Sequence, residues 1–152
     1  YAEDAEAGFV PAIGTLLRLR PPAGPGIRFD SGLLEGQRIT AAYDPMLAKL
    51  VVHGADRAQA TARMRAALRD LVVLGVTTNT AYLERLLGHP AFAAGTTHTG
   101  FVVEHAEALA APPPDPETLD TLLAVATLAG RAIREVTGHI PEPYASMGAW
   151  RN

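Results

Sequence analysis

Between Gly14 and Arg20, Leu17 and Leu19 alternate with Arg18 and Arg20, the period-two pattern of a half-buried strand that Pro21-Pro22 then ends. After a Gly24-Pro25-Gly26 turn, Ile27-Arg28-Phe29-Asp30-Ser31 alternates again, placing Ile27 and Phe29 on one face and Arg28 and Asp30 on the other. Short runs from Arg38 to Ala42 and from Leu47 to His53 predict two further strands. At Asp56 the period changes. Asp56 with Gln59 forms a capping-box-like start, and Ala60, Met64, Ala67, Leu68 and Leu71 recur at helical spacing, with Arg57, Arg63, Arg65 and Arg69 on the opposite face. Leu71 to Val76 reads as a buried strand ending near Gly75. Thr78-Asn79 then caps a helix striped by Tyr82, Leu83, Leu86 and Leu87 and stopped by Gly88-His89-Pro90. A third helix is expected from Gly100 to Leu109.

Pro112-Pro113-Pro114-Asp115-Pro116 cannot continue a helix and reads as a linker. Asp115 as N-cap and Pro116 at the first helical position start another helix. Along it Leu119, Leu122, Ala126, Ala129, Ile133 and Val136 repeat at spacings of three and four, a narrow apolar seam that ends at Gly138 and wants a partner. The pattern predicts an α+β fold: short antiparallel strands over about residues 12–53, packed helices after residues 56, 79 and 99, and a separate helix over about 117–137. The expected divisions are 1–111, a proline linker at 112–116, and a helical extension with the start of a following domain at 117–152.

Composition narrows the function. Of 152 residues, 48% are hydrophobic and 19% charged, which suits a chain that folds around a core. The net charge is −3 and the arginines are scattered, which argues against a nucleic-acid surface. No apolar run approaches the length of a membrane span. The absence of cysteine excludes disulfides and thiolate chemistry and fits a reducing compartment, with the cytoplasm as default. The opening Tyr1-Ala2-Glu3-Asp4 carries no start signal and reads as a cut inside a longer protein.

Generic chemistry is sparse. Gly24-Pro25-Gly26 lacks the Gly-Lys-Ser/Thr of a phosphate loop and reads as a tight turn. The histidines at 53, 89, 98, 105 and 139 have no ligand-like spacing, so no metal site is expected. Ser31 and Ser146 lack a neighbouring His and Asp. Two cations remain. Lys49, the only lysine, lies in an apolar run where an ion pair with a carboxylate such as Asp44 is the favoured reading. Arg28 follows the glycine turn with Asp30 on its own strand face, which by itself suggests a surface ion pair.

The ordered series Gly24-Pro25-Gly26-Ile27-Arg28-Phe29-Asp30-Ser31, Gly36, and Tyr43-Asp44-Pro45-Met46-Leu47-Ala48-Lys49-Leu50 resembles the C-terminal subdomain of biotin carboxylases. The likeness continues through Arg57, Arg63-Met64, Ala67-Leu68, Gly75-Val76, Thr78-Asn79, His89-Pro90-Ala91-Phe92, Gly95, Thr99 and Phe101, over about residues 1–110. Ala5 stands where the family has proline, and Glu6-Ala7 is insertion-like. His89-Pro90-Ala91-Phe92 is similar to acyl-CoA carboxylases. The last helix with Gly148-Ala149-Trp150-Arg151-Asn152 looks like the junction in α subunits of propionyl-CoA or methylcrotonyl-CoA carboxylases, although Ala149 interrupts the Gly-Trp-Arg element.

This resemblance implies part of an ATP-dependent ligase of the acetyl-, propionyl- or methylcrotonyl-CoA carboxylase type. Such enzymes use an ATP-grasp fold, Mg²⁺ (or Mn²⁺), ATP and bicarbonate to carboxylate biotin. It implies that the ATP, metal and bicarbonate ligands lie upstream, that this piece alone binds none of the cofactors, and that it is not catalytic by itself. Arg28 matches the arginine that faces the biotin ureido oxygen, and Asp30 is its possible orienter. The implied partners are the remaining ATP-grasp region, a biotin carboxyl carrier domain, a carboxyltransferase subunit and a second copy in a homo-oligomer. A eukaryotic parent would sit in the mitochondrial matrix. Urea carboxylase or pyruvate carboxylase is the alternative parent, and a purely structural or dimerisation module the alternative role.

Overall fold

The structure, a computed structural model, describes the backbone of residues 1–137 and the side chains of residues 1–129. It divides into two compact units, Tyr1–Ala111 and Pro112–Asn152. The expected helix end at Gly138, Ser146, Gly148 to Asn152 with Trp150, and the side chains of Ile133 and Val136 fall outside the described residues.

Unit 1 is α+β, and all its strand pairs are antiparallel. Strands β1 (Glu3–Asp4) and β2 (Val10–Pro11) pair with each other, β3 (Gly14–Thr15) pairs with β6 (Arg38–Ile39), β4 (Arg18–Arg20) with β8 (Val72–Leu74), and β5 (Ile27–Ser31) with β7 (Ala48–Val52). The single strand expected over 14–20 is therefore two. At Leu16 and Leu17 the chain changes partner: Leu16 N donates to Gln37 O, whereas Leu17 N donates to Leu74 O. The switch also changes the facing at Leu17, although Leu19 stays inward and Arg18 and Arg20 outward as expected. Leu16 is fully buried, while Leu17, read as a core residue, is 68% exposed. A period of two cannot anticipate a partner change, because it assumes one continuous pleat. The strand expected from Arg38 to Ala42 shortens to β6.

Helix α1 (Arg57–Asp70) begins as its sequence requires: the Asp56 carboxylate accepts Gln59 N at 2.7 Å and the Gln59 side chain accepts Ala55 N at 2.8 Å. Its arginines are not an idle solvated face. Arg57 lies over the Phe92 ring at 4.7 Å and donates to Phe92 O, and Arg65 and Arg69 both reach Glu84 on α2 (Thr80–Gly88). Asn79 occupies the N-cap of α2, but its side chain accepts Tyr1 N at 3.0 Å instead of capping the helix. His89 ends α2 and its Nδ1 caps a short helix, α3 (Pro90–Ala94), which the sequence pattern had not indicated. The helix expected over 100–109 breaks at His105 into α4 (Phe101–Glu104) and α5 (Ala106–Leu109). Phe101 and Leu109 are buried on either side of the break.

In unit 2, α6 spans Pro116–Thr137, with the Asp115 carboxylate accepting Thr118 N at 3.0 Å. Leu119, Leu122, Ala126 and Ala129 of the expected seam are all exposed. So are Leu123, Val125 and Leu128, which makes the apolar surface broader than a two-in-seven seam. No helix among the described residues is long and apolar enough to cross a membrane.

Candidate functional site

The β5–β7 ladder carries both cations singled out by the sequence. Its entry is a tight turn: Ile27 N donates to Gly24 O, and His53 N donates to Gly26 O at 2.8 Å, closing the far end of the ladder. Gly26 has φ +72°, and a Cβ there would sit 2.7 Å from Arg63 Nη1 and 3.0 Å from His53 O. Only glycine combines that backbone conformation with so close an approach. Arg63 in turn donates to His53 O, fastening the ladder to α1.

Cross-strand partners share a sheet face. Phe29 opposes Leu50 and Ile27 opposes Val52 on the inner face, where Phe29 and Leu50 line an apolar cavity of about 260 Å³ together with Met64, Leu68, Leu83 and Leu87. Arg28 opposes Val51 and Asp30 opposes Lys49 on the outer face. Burial of the inner face against α1 and α2 therefore fixes which way Arg28 points.

On that outer face Arg28 Nε lies 3.2 Å from Asp30 Oδ1, and the two side chains are 69% and 50% exposed. The ion pair uses the Nε edge. Among the described residues Nη1 and Nη2 have no partner, so the guanidinium turns two donor groups away from the carboxylate. This arrangement suits a carbonyl oxygen that gains negative charge, because the guanidinium keeps its positive charge and its Nη donors are not used within the domain. Ser31, at the end of β5, donates to Leu47 O at 3.2 Å and accepts Leu33 N, a purely structural pair of bonds.

Lys49 requires a correction. Asp44, its expected partner, accepts Met46 N at 2.7 Å in its own turn, and among the described residues no carboxylate lies within ion-pair distance of Lys49. Its cross-strand neighbour is Asp30. Spacing along the chain could not show this, since it depends on the register between β5 and β7. Among the described residues no group of three or more His, Asp or Glu side chains converges as metal ligands would.

A second cluster lies at the insertion-like Glu6. The Glu6 carboxylate accepts Ala111 N at 3.0 Å and pairs with Arg85, whose Nε also donates to Leu109 O at 2.7 Å. The Ala111 amide, with Arg85 beside it, holds the Glu6 carboxyl below its usual range. Glu6 thus latches the entry loop to α2 and to the end of unit 1. Nearby, Tyr82 stacks edge-on against Phe9 at 5.0 Å, and burial pushes its phenol up.

Residues 1–104 match the family described as biotin carboxylase C-terminal domain. The chain belongs to this family. Over 157 aligned residues the domain is 36% identical to the mitochondrial methylcrotonoyl-CoA carboxylase subunit alpha of Dictyostelium discoideum, an alignment covering 99% of this chain and 22% of that protein. It is 40% identical over 105 residues to the biotin carboxylase of Halalkalibacterium halodurans, covering 69% of this chain and 23% of that one. Among solved structures, the biotin carboxylase domain of Hydrogenobacter thermophilus 2-oxoglutarate carboxylase, in complex with MgADP, ADP and bicarbonate, superposes with a TM-score of 0.71 at 35% identity, covering 74% of this chain and 25% of that chain. A complete Rhizobium etli pyruvate carboxylase gives 0.71 at 35% identity, over 75% and 11% of the two chains. The biotin carboxylase C-terminal domain described here therefore spans a quarter or less of the length of these relatives.

Proposed function

We infer that this domain completes the biotin site of an ATP-dependent biotin carboxylase in an acyl-CoA carboxylase. The observation that carries the reading is the Arg28 guanidinium, ion-paired through Nε with Asp30 and with both Nη groups unpartnered among the described residues, on the outer face of β5–β7. Arg28 takes the role of donor to the biotin ureido oxygen, and Asp30 orients it. Biotin, when bound, supplies the ureido nitrogen that accepts the carboxyl group. The chain's own part is to place two donor groups and a permanent positive charge where the oxygen becomes negative.

ATP, Mg²⁺ (or Mn²⁺) and bicarbonate are assigned to an ATP-grasp region outside this chain. The support is that residues 1–111 offer Arg28 and no phosphate-cradling loop, and that the relatives are several times longer. A biotin carboxyl carrier domain, a carboxyltransferase subunit and a second copy of the carboxylase are the partners of the whole enzyme. The division into residues 1–111, a linker at 112–116 and an extension at 117–152 belongs to the same reading, with α6 docking its exposed apolar side in the complete assembly. The parent resides in the cytoplasm, or in the mitochondrial matrix if eukaryotic; the named methylcrotonoyl-CoA carboxylase relatives are mitochondrial. Methylcrotonoyl-CoA carboxylase is the favoured type of parent, because the alpha subunit of Dictyostelium discoideum aligns in sequence over 99% of this chain; pyruvate carboxylase or urea carboxylase is the alternative.

The test uses the chain by itself. Residues 1–152 are expected neither to bind ATP in calorimetry nor to cleave it with bicarbonate and free biotin. Saturable, bicarbonate-dependent ATP cleavage by this chain would overturn the assignment of those ligands to another region.

A further inference from the structure

We propose that Lys49 is a positioning residue for Arg28, acting through Asp30: it offsets the charge of that carboxylate so that the guanidinium faces its ligand as part of a net cation. The inference rests on the reading of Arg28 given above.

Three charged side chains lie on the outer face of the β5–β7 ladder. Asp30 is central, with Arg28 two residues before it on the same strand and Lys49 directly opposite in the register. Opposed residues have Cβ atoms about 4.5–5.5 Å apart, within reach of a mobile lysine stem, and diagonal neighbours are about 7–8 Å apart. Asp30 therefore stands between two cations, while Val51 fills the remaining place opposite Arg28.

An arginine whose Nε is bonded to a carboxylate forms a pair of nearly zero net charge. Such a pair still offers Nη donors but attracts a developing oxyanion weakly, since the carboxylate repels what the guanidinium attracts. A second cation beside the carboxylate removes that penalty and leaves one net positive charge on the face. Lys49 has the required sign, stands opposite Asp30 in the register, and is in no ion pair with another carboxylate or with Asp30 itself among the described residues, so it acts on Asp30 through its charge. Asp30 can then orient Arg28 without neutralising it. Arg28, Asp30 and Lys49 thus form one device with Lys49 as its third member.

The distinguishing consequence is dependence on Asp30. In the full-length carboxylase, K49Q is expected to lower kcat for biotin carboxylation about fivefold, the scale of one partly exposed charge pair, and K49R to restore most of it. In a D30N background, K49Q should add no further loss, because the charge it offsets is already gone. A merely structural lysine would cost the same in both backgrounds. Thermal midpoints of every variant, recorded alongside, separate folding losses from kinetic ones. Wild-type turnover in K49Q, or a K49Q loss that multiplies unchanged onto D30N, overturns the proposal. R28A run in parallel keeps the two readings apart. If R28A turns over like wild type, the Arg28 reading itself fails; if R28A is impaired while K49Q and D30N act independently, only the Lys49 inference fails.

Discussion

Replacing Arg28 with alanine separates catalysis from stability more sharply than any other substitution in this domain. The residue lies on the outer face of β5, its side chain 69% exposed, and its one ion pair among the described residues is Nε to Asp30 at 3.2 Å with the partner 50% exposed. Exposed pairs of this kind are worth about 0.2–1 kcal/mol after screening. Truncation opens no cavity, because the inner face is formed by Ile27 and Phe29. R28A should therefore unfold within about 1 kcal/mol of wild type. Its effect on turnover is of another order. The substitution removes both free Nη donors and the positive charge, and losing one oxyanion donor typically lowers the rate about 10²- to 10³-fold, or about 3–4 kcal/mol. R28K keeps a point charge without the paired donors and should recover only part of the loss. The assay is steady-state biotin carboxylation by the full-length enzyme with ATP varied at fixed biotin, alongside urea unfolding of the same variants. The expected pattern is a large loss in kcat, a nearly unchanged KM for ATP and a nearly unchanged unfolding midpoint. A wild-type turnover number in R28A would return Arg28 to a strand-surface ion pair.

Two further outcomes test the frame that holds the site. Gly75 has φ +98°, and a Cβ there would overlap the Thr15 carbonyl oxygen and sit 2.9 Å from Leu17 N; G75A should cost about 2–5 kcal/mol, combining an unfavourable backbone region with a backbone overlap, and an unchanged midpoint in urea would contradict the packing of β8 on β3 and β4. E6Q should lower the melting temperature near neutral pH by weakening the bonds to Arg85 and Ala111. Because folding holds the Glu6 carboxyl below its ordinary value, this contribution is complete above that value and is lost as pH falls through the lowered one. Melting curves of wild type and E6Q should accordingly converge in acid, and a gap that persists at about pH 2 would refute the latch.

The parts legible from sequence are those whose cause is local. Ile27 to Ser31 reads as a strand because its alternation and its glycine turn are contiguous, and the observed β5 has those bounds. Asp56 with Gln59, and Asp115 with Pro116, mark helix starts because a cap and the amide it satisfies lie within four residues. Arg28 and Asp30 are assigned to one face by the strand period alone, and the structure brings them into contact. What the sequence could not supply depends on partners distant in the chain. Leu16 is buried in place of Leu17 because β3 and β4 pair with different strands, a choice made by residues 38–39 and 72–74. Glu6 looks like an incidental insertion until Arg85 and Ala111 fold against it, 79 and 105 residues away. Lys49 stands opposite Asp30 in the ladder, and not in an ion pair with Asp44, because the register of β5 on β7 is set by packing Phe29 and Leu50 over the helices. Caps and alternation are written in neighbouring residues, whereas register and facing follow from which apolar surfaces can be buried together, and that is decided only when the whole domain closes.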